Sequence, residues 1–101
     1  TLPILSLGGI GVISVLSNIM PKFVHNMVFD YLSGNFTLSK DSQIRITPLI
    51  DCLFSEVNPI PIKAALNKMG YNVGSPRLPL IPMSESRQNL LEQEMKKFKL
   101  I

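Results

Sequence analysis

Charge is missing from the first twenty-one positions of this chain, and amphipathic stretches follow it to the end. The opening stretch predicts three elements. Pro3 to Leu7 reads as the tail of a short helix, with Pro3 near the first turn, where a missing N–H costs little. Gly8 and Gly9 stop it. Gly11 to Val15, "GVISV", reads as a strand whose two faces are both apolar or small, the pattern of a parallel sheet covered by helices. Asn18 to Leu32 then reads as a helix. Phe23, Met27 and Tyr31 recur at i, i+4, i+8, flanked by Val24 and Val28, and Pro21 suits the first turn. Gly34 is a stop signal. Helix, strand, helix is α/β alternation, but one strand cannot make a sheet. Its partners are expected outside these 101 residues.

Everything after Gly34 predicts helix. Leu38 to Phe54 carries Ile46, Leu49, Ile50 and Leu53 at 0, 3, 4, 7, with Pro48 inside it as an expected kink. Asn58 is expected to cap the next helix, with Pro59 at its first position and Gly70 past its end. "GYNVGSPRLPLIPM" is an irregular connector held extended by Pro76, Pro79 and Pro82. Ser84 is expected to cap a last helix with Glu85 in its first turn and Leu91, Met95 and Phe98 on its apolar face. Glu92 and Lys96 make a stabilising i,i+4 pair.

Composition sharpens this. Apolar residues make up 46% and charged residues only 17%, against about a quarter charged in an average soluble domain. A chain this short and this poor in charge is expected to leave apolar surface for a partner. With Thr1 rather than Met at its start, it reads as a piece of a longer protein. The net charge of +3 is weak, and "KKFK" at Lys96 to Lys99 reads as a complement to the negative end of the last helix. No nucleic-acid signature accompanies it. The uncharged opening is glycine-interrupted, which argues against a membrane span, and it lacks the basic flank of a signal peptide. Cys52 is alone, so no internal disulfide marks an oxidising compartment, and a cytoplasmic location is expected.

No complete active site follows from residue types and spacing. "GGIG" precedes the strand instead of following it and lacks the lysine of a phosphate-binding loop. His25 has no Cys, Asp or Glu at ligand spacing and reads as a structural histidine. Asp30, Asp41, Asp51 and Glu56 are scattered, with nothing to pair them. Lys63 could form a Schiff base in principle, but such a lysine needs burial to lower its pKa, and it lies in the first turns of an amphipathic helix. Cys52, within the apolar "LIDCLF", reads as a packing residue rather than a nucleophile. No metal site is expected.

Two segments together do carry a resemblance. "LGGIGVISV" at Leu7 to Val15 and "EVNPIPIKAAL" at Glu56 to Leu66, followed by "RLPLIP" at Arg77 to Pro82, resemble the C-terminal third of the dihydrodipicolinate synthase family, in order and spacing over the whole chain. The related sialic-acid lyases share the barrel but are expected to lack "NPIPIK". The resemblance implies a fold class: the end of a (β/α)8 TIM barrel followed by a three-helix C-terminal domain, mostly helical in this chain. Residues 1–34 would be the barrel's end, with strand 11–15 and the last barrel helix at 18–33. Residues 35–101 would be the helical domain. The implied reaction is the condensation of pyruvate with aspartate semialdehyde in lysine and diaminopimelate biosynthesis. No cofactor is involved beyond a Schiff-base lysine on the sixth strand.

That lysine, and the tyrosine, threonines and arginine that serve it, match no position from Thr1 onward, so catalytic residues are expected outside this chain and the chain alone is expected to be inactive. The resemblance carries over Ile13 as a pyruvate-pocket residue and Leu7 as a position at a subunit interface of a homotetramer. For Asn58 a helix cap outranks any substrate contact. A second reading of the residues stays open: a small helical interaction protein that docks through its apolar N-terminal segment, free or membrane-associated.

Overall fold

Prolines and glycines punctuate the computed structural model, which describes residues 1–101. Five α-helices follow one another: α1 (Leu2–Ser6), α2 (Pro21–Leu32), α3 (Phe36–Leu53), α4 (Ile60–Lys68) and α5 (Glu85–Lys97), with a single 3-10 turn at Leu16–Asn18. The chain packs as two compact units, Thr1–Thr47 and Pro48–Ile101, and the division falls inside α3. It lies next to Pro48, which α3 runs through without ending. The packing thus divides the chain later than the expected boundary after residue 34.

In the first unit, α1 carries Pro3 in its opening turn, as its spacing predicts. Gly8 adopts φ +99°, a left-handed conformation that side chains resist, and it closes the helix. Gly9 is small for a different reason: a Cβ there would lie 2.8 Å from the carbonyl oxygen of Ile4. Its N–H donates to that carbonyl at 3.0 Å. In α2, Val24 and Met27 are buried, and Leu5, Leu16, Ile19 and Ile46 complete the apolar interior of this unit. The buried Ser39 hydroxyl donates to the Met27 carbonyl at 2.8 Å, so its one polar group is satisfied. Gly34, at φ +89°, follows α2 as the sequence predicts.

The expected strand at Gly11 to Val15 is a correction. Residues 9–14 are irregular, and Val15 already has the αR dihedrals that lead into the 3-10 turn. The cause is backbone pairing. A strand satisfies its N–H and C=O groups only on a neighbouring strand, and the chain has no other.

In the second unit, α4 and α5 lie against each other. Leu49 and Leu53 of α3, Ile60, Ile62 and Ala65 of α4, Met83, and Leu91 and Met95 of α5 are its buried apolar side chains. Asn58 does not cap α4. Its N-cap is Pro59 and no side chain caps it. Both Pro59 and Pro61 could occupy a first turn, and the helix takes Pro61. Gly70, at φ +93°, follows the helix as expected. Ser84 stands at the N-cap of α5 with Glu85 in the first turn, but its side chain does not bond α5. Its N–H and hydroxyl both donate to Oε2 of Glu56, at 3.0 and 3.1 Å. Arg87 fastens the same corner by donating to the Ser55 carbonyl at 2.8 Å. Glu92 also turns to a distant partner. It pairs with Lys68 of α4 and not with Lys96 one turn away, while Lys97 pairs with Glu94 at 2.8 Å.

Two predictions follow. Leu91 is fully buried and its neighbour Leu90 is 55% exposed. Leu91→Ala should cost about 2–5 kcal/mol and Leu90→Ala under about 0.5 kcal/mol, read as shifts of the urea midpoint. Equal shifts would contradict the orientation of α5. The Lys68 ammonium, by hydrogen bond and then by charge, holds the Glu92 carboxyl below its usual value. Its contribution is therefore present above the ordinary carboxylate range and disappears as pH falls through the lowered folded value. Glu92→Gln should flatten the decline of stability between about pH 5 and pH 2; an unchanged acid slope would show the pair contributes nothing.

Candidate functional site

The segment between α1 and the 3-10 turn holds the positions that the motif "LGGIGVISV" singles out. Leu7 and Ile10 are 85% and 86% exposed, and Ile13 is fully exposed. No side chain of this kind gains by facing water. Val12, on the other side of the segment, borders an apolar groove of about 310 Å³ with Val24, Val28, Phe29 and Leu32 of α2. Helix α2 is therefore apolar on two faces. Val24 and Met27 are buried within the unit, while Phe29 and Leu32 remain 59% and 53% exposed. A helix apolar on two sides is built to be covered on two sides. The Phe23–Met27–Tyr31 stripe with its flanking Val24 and Val28 does not include Phe29 and Leu32, which are the sequence signal for the second face.

The phosphate-cradle reading of "GGIG" fails on hydrogen bonds. The Gly8 and Gly9 amides donate back to the Leu5 and Ile4 carbonyls at 3.1 and 3.0 Å, so neither is available to an anion. His25 is exposed and stacks on Phe29 with ring centroids 5.8 Å apart. No group of three His, Cys, Asp or Glu side chains comes together in a way that could hold a metal. No helix is long and apolar enough to cross a membrane. Lys63 lies half-buried on α4 and reaches only the Ser75 carbonyl, at 3.4 Å. Leu7 and Ile13 belong to the first unit and Asn58 to the second.

Cys52 is half-buried and its thiol is pushed up from its usual value, first by burial and then by the charges of Glu94 and Asp51. That direction suppresses the thiolate, the form a nucleophile needs.

Comparison with known proteins gives this segment a context. The sequence model of the Dihydrodipicolinate synthetase family matches residues 1–98. A 4-hydroxy-tetrahydrodipicolinate synthase of Clostridium tetani is 53% identical over 100 residues, covering 99% of this chain and 34% of that protein. A crystal structure of a dihydrodipicolinate synthase superposes over 100% of this chain and 35% of its own, with a TM-score of 0.96 at 48% identity. The dihydrodipicolinate synthase of Thermotoga maritima superposes over 96% of this chain and 33% of its own, with a TM-score of 0.93 at 45% identity. The chain spans about a third of the length of the relatives it matches. Nothing in these likenesses supports a free-standing helical interaction protein.

The cysteine is open to a direct check. At pH 8, Cys52 should react with iodoacetamide several-fold more slowly than free cysteine, because its thiolate fraction is lowered. Reaction as fast as free cysteine would contradict its burial.

Proposed function

Because this chain belongs to the dihydrodipicolinate synthetase family, we propose that it forms the C-terminal third of an enzyme condensing pyruvate with aspartate semialdehyde. The observation that carries the reading is the match of nearly the whole chain to one third of its relatives, with 53% identity to the Clostridium tetani protein. The exposed Ile10 and the second apolar face of α2 support it. Both are surfaces that the remaining staves and helices of a barrel would cover, and the unpaired backbone at residues 10–13 would gain neighbouring strands.

In this reading the chain's own residues shape and dry the pyruvate site. The catalytic lysine comes from the rest of the barrel and needs no dissociable cofactor. Its amine attacks the carbonyl carbon of pyruvate and water leaves; the resulting imine loses a methyl proton to give an enamine, whose terminal carbon bonds to the aldehyde carbon of the second substrate as the aldehyde oxygen takes up a proton, and water then hydrolyses the product from the lysine. Ile13 forms an apolar wall beside that amine. A desolvated amine has a lowered pKa and more of it is the unprotonated nucleophile. Leu7 belongs to a contact between subunits of a homotetramer, and the enzyme works in the cytoplasm, without nucleic acid or membrane.

The test is reconstitution. The 101-residue chain is mixed with the complementary N-terminal two thirds of the Clostridium tetani enzyme. Pyruvate and borohydride are then added, and each piece is weighed by mass spectrometry. The adduct should appear on the N-terminal piece, with condensation activity restored, and the mass of this chain should not change. An adduct on Lys63, or no association at all, would overturn the proposal. In the reconstituted enzyme, Ile13→Ala should raise the KM for pyruvate about tenfold, the scale of one buried aliphatic contact. An unchanged KM removes Ile13 from the pocket.

A further inference from the structure

We infer that a cavity of about 300 Å³ in the second unit, between α4 and the connector 71–83, is a binding site for a small organic carboxylate with an apolar body. The inference does not depend on the condensation reaction, and none of the positions assigned to that reaction lines the cavity. Its volume is at the lower end of the range for small-molecule sites.

Charge is the first argument. Lys63 and Lys68 both line the cavity, and no Asp or Glu does. The Lys68 ammonium is matched by Glu92 of α5. The Lys63 ammonium forms no ion pair. Its single bond, to the Ser75 carbonyl, is 3.4 Å long, close to the limit of a hydrogen bond. A half-buried ammonium with one weak acceptor has two donors left to offer, and a carboxylate oxygen accepts them better than a neutral group does. Ser75 lines the same wall.

Shape is the second. The rest of the lining is mostly apolar, with Ile60 and Met83 both buried and Ala64 and Pro82 beside them. An apolar floor with one cation at its rim suits a short aliphatic carboxylate and gives inorganic phosphate nothing beyond the charge.

Preorganisation is the third. The far wall is not a loose loop. Asn67 of α4 donates through Nδ2 to the Gly74 carbonyl at 2.9 Å and accepts at Oδ1 from the Val73 N–H at 2.8 Å. Gln88 of α5 donates to the Met83 carbonyl at 2.8 Å and fixes the other end of the connector. The walls are therefore set before a ligand arrives, which lowers the ordering cost of binding.

The test uses the 15N-labelled 101-residue chain, titrated at constant ionic strength with isovalerate, with its uncharged isostere isovaleramide, and with inorganic phosphate. Isovalerate should give saturable shifts at the amides of residues 63–68 and 74–76, and both other probes should bind at least about tenfold more weakly. Lys63→Gln should weaken isovalerate about tenfold, and Lys22→Gln, an exposed lysine of the first unit, should leave it unchanged. Isovaleramide binding as well as isovalerate would overturn the role of charge, and this comparison needs no variant. Phosphate binding as well would overturn the role of the apolar floor. Shifts that do not saturate, or that survive Lys63→Gln undiminished, would overturn the site.

Discussion

A backbone N–H and C=O must find a partner, and the architecture of this chain follows from which segments can supply their own. Helices do so internally, so α2 through α5 form wherever the sequence is amphipathic. Residues 10–13 cannot. Their side chains favour a strand, but a strand is half of a pair, and no other segment of the chain offers the second half. The result is a chain whose helices are complete and whose one strand-forming stretch is left irregular. The exposed Ile10 and Ile13 are the side-chain counterpart of that unpaired backbone.

Local signals were legible and long-range ones were not. Gly34 and Gly70 ended their helices because a positive φ is a property of the residue itself. The stripe of α2 was read from spacing alone. Asn58 was misread because two prolines two residues apart both suit a helix start, and nothing local chooses between them. The partners of Glu92 and Ser84 were missed for a different reason. Lys68 and Glu56 lie 24 and 28 residues away in sequence, and only the packing of α4 against α5 and of the Ser55–Glu56 corner against the start of α5 brings them near. The candidate site divides in the same way. The motif around Ile13 could be recognised as a string of residues, whereas Lys63 and Ser75 become neighbours only once the connector folds back on α4.

The second unit shows how few polar contacts hold an irregular connector. Fourteen residues, 70–83, contain three prolines and no regular element, with Asn67 and Gln88 supplying side-chain bonds where a sheet would supply backbone ones. The amide of Asn67 does for Val73 and Gly74 what a neighbouring peptide group does in a ladder, one donor and one acceptor at fixed spacing. That is why a loop of this length can define one wall of a cavity.

The exposed run from Leu7 to Ile13 also bears on how the segment meets chaperones and proteases. An apolar stretch outside any hydrogen-bonded element is what holdase chaperones grip and what proteases thread first. Burying it removes both handles at once. The side chains that a covering surface would dry are therefore the same ones that decide how readily the segment is gripped or cut.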